Sequence, residues 1–93
     1  MDGHSRESIR RRIAAYVVDN FLYMRPDLDL EPETSLLDTG ILDSMGVVEV
    51  VEFLSDEFGM SVPGEEITRS NFGSVEAMAE YVEGKIEEAR DAA

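Results

Sequence analysis

The chain has 93 residues, 43% hydrophobic and 31% charged, with a net charge of −13 and no cysteine. That length suits one small domain with a core of three or four helices, and its apolar residues are too many and too periodic for a disordered acidic tail. Disulfides and thiolate metal sites are excluded, so acidic a surface repels nucleic acid phosphates, and no apolar run approaches the ~20 residues that cross a bilayer.

The amino end MDGHSRESIRRR lacks the apolar segment of a signal peptide, so the expectation is a soluble, cytoplasmic protein. Charge is uneven along the chain. Residues 1–24 hold four arginines and three acids, whereas residues 25–93 hold four basic residues and eighteen acids. Such a field attracts partners bearing Lys and Arg and raises their encounter rate in a salt-dependent way. Its plainer role is to keep a small domain soluble.

In chain order, Ile9, Ile13, Tyr16, Val17, Phe21 and Met24 recur at three- and four-residue steps and predict an amphipathic first helix over about 5–24, capped by Ser5. Pro26 disfavours helical backbone at Arg25 and ends it. Residues 25–43 then read as a loop far longer than the ~4 to 6 residues usual in compact domains. Leu28, Leu30, Leu36, Leu37, Ile41 and Leu42 predict that it is irregular yet pinned to the helices.

A second helix is predicted over 44–58, closed by Gly59. SVPGEE reads as a turn, residues 65–70 as a short third helix, and 74–89 as a last helix with Ser74 at its start and Val75, Met78, Ala79, Val82 and Ile86 on one stripe. The predicted fold is all-α: a small four-helix bundle of three long helices and one short, in a single domain over 1–93, with a long loop between the first two helices.

At 100° per residue from Ser44, the second helix turns Val47, Val50, Val51, Leu54 and Phe58 to the core. Glu49, Glu52 and Asp56 fall on another side, with Met45 among them and Val48 at their margin. A large apolar side chain held in water inside an acidic strip reads as a docking surface, although lone exposed hydrophobes are common on soluble proteins.

Ser44 has two readings. As the helix cap it would accept a bond from a free backbone N–H. Asp43 can do the same work, and if it does, the Ser44 hydroxyl projects at a helix mouth that favours an anion such as a phosphate. Ser44 is not expected to be a catalytic nucleophile. That role needs a nearby base, and the only histidine is His4 at the terminus, while the only lysine is Lys85 in the last helix. A calcium loop starting at Asp27 fails too, because its sixth and twelfth positions are Pro32 and Asp38 rather than glycine and glutamate. No metal and no catalytic residue is expected.

DTGILDSMG, followed by VVEVVEFLSDEFG and VPGEEITRSNFGSVEAMAEYV, resembles the acyl carrier proteins and their peptidyl and aminoacyl carrier relatives, over about Ile9 to Ile86. The resemblance implies that Ser44 receives the 4′-phosphopantetheine arm of coenzyme A from a magnesium-dependent phosphopantetheinyl transferase, and that the arm's thiol carries cargo as a thioester. It implies that Asp43 helps the transferase recognise its target, and that Met45, Val48, Glu49, Glu52 and Asp56 meet basic, apolar-rimmed surfaces on an acyl- or aminoacyl-loading ligase and on condensing or transferring enzymes.

The pattern departs from the fatty-acid-synthesis type, Gly-Ala-Asp-Ser-Leu followed by an acid. Gly40-Ile41-Leu42-Asp43-Ser44-Met45-Gly46 is one residue longer before the aspartate and has Gly46 where an acid is frequent. It is more similar to free-standing carriers of amino acids, D-alanine or specialised polyketide and peptide products. Length and Met1 favour a discrete carrier over an excised module, and the expectation is a monomer that is not an enzyme. The alternatives are a housekeeping fatty-acid carrier and, in a different class, an acidic helical adaptor without a prosthetic group.

Overall fold

The computed structural model describes residues 5–22 and 29–92, and within them every regular element is helical. Helix α1 spans Arg6–Val17. Its cap is Ser5, whose Oγ accepts from the Ser8 amide at 3.2 Å, and Ile9, Ile13 and Val17 line its buried face.

Past Val17 the regular helix gives way to one wide π-helical turn, Val18–Leu22. In an unbroken α-helix Leu22 would stand roughly 220° round from Ile9, facing water. The extra residue in the wide turn brings it into the core instead, where it is buried, and leaves Phe21 half-buried beside it. The Asn20 side-chain amide donates to the Tyr16 carbonyl at 2.9 Å across this turn. The first helix, expected to run to about Met24, is therefore α-helical only to Val17; residues 23–28, including Met24, Arg25, Pro26, Asp27 and Leu28, lie outside the described residues, as does His4.

Residues 29–43 are irregular, and their leucines explain how they hold a shape. Leu36, Ile41 and Leu42 are buried, while Leu30 and Leu37 pack partly buried against the same core. Backbone bonds stitch the loop to the start of the last helix: the Leu36 amide donates to the Gly73 carbonyl, and the Glu76 amide donates to the Pro32 carbonyl, each at 2.8 Å. The second bond satisfies an amide that a helix start leaves without an internal acceptor. Gly40 takes φ = 78°, a left-handed value that a side chain would resist.

Helix α2 spans Ser44–Phe58 and ends on Gly59 at φ = 62°, ψ = 43°, with the Met60 amide turned back to the Ser55 carbonyl. A short 3₁₀ turn follows at Gly64–Glu66, then helix α3 at Arg69–Phe72 and helix α4 at Val75–Ala92. The third helix expected over 65–70 is thus divided and displaced. Thr68 accepts from the Asn71 amide and starts α3 only there, while the Glu66 carboxylate is drawn toward α4 by the Tyr81 hydroxyl at 2.6 Å and Lys85 Nζ at 3.0 Å. The last helix begins one residue later than expected and runs three further.

One core joins these elements, with Ile9, Leu36, Leu54, Phe72 and Met78 among its fully buried members. Helix α1 packs on α4, and α3 packs on α4. At the α1–α4 seam Arg6 pairs with Glu76 at 2.8 Å and Glu83 at 2.6 Å. Arg10 Nε lies 2.8 Å from Glu76 as an ion contact rather than an aligned hydrogen bond. Partly exposed pairs of this kind contribute about 0 to 1 kcal/mol each, so they fix the register of a seam that apolar burial stabilises.

Candidate functional site

Asp43 decides how α2 begins. Its backbone is extended, φ = −114° and ψ = −171°, its Oδ1 accepts from the Gly46 amide at 2.8 Å, and its carbonyl accepts from the Val47 amide at 2.9 Å. The cap is therefore the aspartate, and Ser44 is the first residue inside the helix. Ser44 is exposed, and among the described residues no hydrogen bond engages its hydroxyl. Of the two sequence readings of Ser44, the capping one is excluded.

The rest of α2 divides by side. Val50 and Leu54 are buried, and Val47, Val51 and Phe58 are partly buried against the core. Met45 is 69% exposed and Val48 50%, and Glu49, Glu52 and Asp56 stand in solvent with them. Among the described residues these three acids make no ion pair. Their helix neighbour Glu57 does, reaching Arg12 of α1 at 2.7 Å.

Sequence reasoning missed the floor beneath this strip. Tyr16 stacks on Phe53, with ring centroids 4.0 Å apart and planes 13° apart, and its hydroxyl donates to the Glu49 carbonyl at 3.3 Å. Tyr16, Glu49, Glu52, Phe53, Asp56 and Glu57 line one open groove. Partial burial raises the Tyr16 pKa above the ordinary tyrosine value, and the charges of Glu49 and Glu52 raise it further, so the hydroxyl stays a donor. Phe53 stands at 180° from Ser44 on the wheel. That position, between the core stripe and the acids, was the available signal for an aromatic wall, but only Tyr16 across the seam gives it meaning.

The site thus offers an unengaged hydroxyl in the first turn of a helix, next to the helix's own cap. A family model described as the phosphopantetheine attachment site matches residues 13–82. The chain belongs to that family. Its prosthetic group is 4′-phosphopantetheine, covalently held. Among curated relatives, an aminoacyl carrier protein of Bradyrhizobium diazoefficiens is 44% identical over 54 residues, which is 58% of this chain and 60% of the relative. A D-alanyl carrier protein of Streptococcus uberis is 35% identical over 71% of this chain and 85% of its own length. A probable acyl carrier protein of a Serratia species is 28% identical over 81% and 85%. The chain is accordingly a carrier protein, as each of these relatives is named.

The residues present fit the group. A phosphodiester is an anion, and the first turn of α2 offers backbone amides without intrahelical acceptors together with the positive end of the helix dipole. Only one of those amides, that of Gly46, is taken by the Asp43 cap. Among the described residues no helix is long and apolar enough to cross a membrane.

Proposed function

We propose that Ser44 is the attachment residue and that the chain is a discrete carrier of an acyl or aminoacyl group in specialised biosynthesis. The observation that carries this reading is the division of labour at the start of α2: Asp43 caps, so Ser44 is exposed and, among the described residues, its hydroxyl is engaged by no hydrogen bond. In the loading step the Ser44 oxygen bonds to the phosphorus that bears pantetheine in coenzyme A. The bond from that phosphorus to adenosine 3′,5′-bisphosphate breaks, and the hydroxyl proton passes to a base on the transferase. No base of this chain is needed.

When bound, the arm supplies the thiol on which cargo is held as a thioester. The chain's own residues present the site. The amides of the α2 first turn would hold the phosphodiester, and Asp43 keeps that turn formed while adding negative charge for a basic transferase to recognise. Met45, Val48, Glu49, Glu52 and Asp56 form the surface that loading ligases and condensing or transferring enzymes meet, apolar contact at the centre and charge around it. The names of the relatives, aminoacyl and D-alanyl carrier proteins, together with the longer Ile41-Leu42-Asp43-Ser44-Met45-Gly46 run, support an aminoacyl cargo over the intermediates of fatty acid synthesis.

The test is direct. The protein is incubated with coenzyme A, magnesium and a broad-specificity phosphopantetheinyl transferase, then weighed intact. The expected result is one added arm on the wild type, located on Ser44 by fragmentation, and none on Ser44→Ala. An unmodified wild type, or a Ser44→Ala protein that still gains the arm, would overturn the reading.

A further inference from the structure

A glycine in the first turn of a helix is a weak helix former and needs a reason. Gly46 has one. It is buried, and a Cβ placed on it would meet Leu42 Cδ2 at 3.0 Å, Phe21 Cε1 at 3.2 Å and Asp43 Oδ1 at 3.5 Å. Each of these atoms bears on the presentation of Ser44. Leu42 directly precedes the capping residue, Asp43 Oδ1 is the oxygen that accepts from the Gly46 amide itself, and Phe21 belongs to the wide turn Val18–Leu22.

The contact at Gly46 opens a row of contacts that runs the length of the α1–α2 seam. Phe21 lies against Gly46, Tyr16 stacks on Phe53 one stretch further, and Arg12 pairs with Glu57 and sits 5.0 Å from the centre of the Phe58 ring at the far end. Phe21 and Tyr16 are themselves in edge-to-face contact, with centroids 6.0 Å apart and planes at 68°. On the wheel Gly46 stands roughly 200° from Ser44. The backbone at 46 is therefore pressed onto the aromatic row while the serine points the opposite way.

We propose that Gly46 is a positioning residue for Ser44, a role that rests on Ser44 being the attachment residue. The missing side chain lets Leu42 and Phe21 close on the first turn of α2, and that closure holds the Ser44 hydroxyl at a fixed angle on the solvent side. A methyl group at 46 meets the far ends of two flexible side chains, so the fold yields by a few tenths of an ångström and survives. Leu42 is packed in the core, so part of the displacement passes to the first turn of α2 and carries the hydroxyl with it. Such a shift matters when a bond must form in line at phosphorus: misplacement of a reacting atom by about 1 Å costs about 10²-fold in rate, and a few tenths of an ångström costs less.

The experiment compares wild type, Ser44→Ala, Gly46→Ala, Leu42→Val and the Leu42→Val/Gly46→Ala pair in transferase loading from coenzyme A followed by intact mass. Amide hydrogen exchange on the unloaded proteins is the second readout. For Gly46→Ala, kcat should fall about tenfold with KM within about threefold of wild type, since the docking strip is untouched while the reacting oxygen is misaimed. Exchange should quicken at residues 45–47 and stay unchanged at Val50 and Leu54. Leu42→Val removes the atom at 3.0 Å, so adding Gly46→Ala to it should change kcat by less than about threefold. Gly46→Ala loading with wild-type kcat, a fall in kcat that Leu42→Val does not relieve, or exchange quickened along all of α2 would each overturn the positioning role. If the wild type stays unmodified, or Ser44→Ala is loaded, the attachment reading fails and this inference falls with it. A wild type that loads and a Ser44→Ala that does not, beside an unaffected Gly46→Ala, sink the positioning role alone.

Discussion

Helices α2 and α4 pack into the same core and are treated oppositely on the outside. At the start of α4 the serine is used: Ser74 Oγ accepts from the Ala77 amide at 3.0 Å. At the start of α2 the serine is spared, because the residue before it caps. The acids of α4 that face α1, Glu76 and Glu83, are held by Arg6 and Arg10, whereas Glu49, Glu52 and Asp56 of α2 have no ion-pair partner among the described residues. Among the described residues two of the most exposed large apolar side chains, Met45 and Val48, are on α2, and α4 exposes none. On the side that faces α1, helix α4 is satisfied by its own molecule; the outer acids and apolar side chains of α2 are not.

The strongest way to break this contrast is at the level both helices share. Leu54 of α2 is fully buried, and Leu54→Ala should cost about 2 to 5 kcal/mol in denaturant unfolding and loosen α4 along with α2. A cost under 1 kcal/mol would mean that α2 lies outside the common core. The next test acts on the outer face alone. Glu49→Lys/Glu52→Lys/Asp56→Lys should leave the unfolding midpoint nearly unchanged and slow loading at low salt by about tenfold or more, the deficit shrinking as salt is added. Loading at the wild-type rate would remove the strip from partner recognition.

The two helix starts give a matched pair. Ser74→Ala should cost about 1 kcal/mol and leave loading intact, because its hydroxyl is a cap. Ser44→Ala should abolish loading and change stability by less than about 0.5 kcal/mol. A destabilised Ser44→Ala would show that the hydroxyl serves the fold. Glycines sharpen the contrast at smaller scale. Gly84 in α4 is exposed with open space where a Cβ would stand, so Gly84→Ala should stabilise by up to about 1 kcal/mol, as a helix-interior glycine ordinarily allows. Gly46→Ala should not.

The smallest effect is in acid. The Tyr81 hydroxyl, donating to Glu66, and then Lys85 hold the Glu66 carboxyl below its ordinary value of 4.5. A carboxyl depressed in the folded state adds stability that is complete above that ordinary value and is lost as pH falls through the folded one. Unfolding midpoints of wild type and Glu66→Gln should therefore differ most at neutral pH and converge as pH falls through the lowered folded value. A gap that persists in acid would assign Glu66 a role other than its charge.

What could be read from the chain alone follows from how local each signal is. The bounds of α2 rest on Asp43, Ser44 and Gly59, residues that cap and terminate by their own chemistry, and its inward and outward sides rest on a period that no neighbour alters. Asp43 or Ser44 as cap could not be decided from local rules, since both types cap well. The wide turn was invisible because Phe21 fits an α-helical stripe better than Leu22 does, and only the shape of the core selects Leu22. The displaced third helix has the same origin: Glu65 and Glu66 look like a helix start, but Tyr81 and Lys85, distant in sequence, draw Glu66 aside and leave Thr68 to begin α3. Gly46 read as a missing acid, and its packing against Phe21 appears only in three dimensions.

Three of the four arginines of α1 neutralise acids on other helices, and the fourth lies near Glu7 of its own. The arginines of α1 are thus consumed internally, and much of the surplus negative charge among the described residues is turned toward the surroundings. Two copies of such a molecule repel one another in solution even where crowding is dense. Under the proposed function, a loaded copy would be kept apart from its unloaded siblings, and a tethered group would change hands only where a positively charged third party brings the two ends of the exchange together.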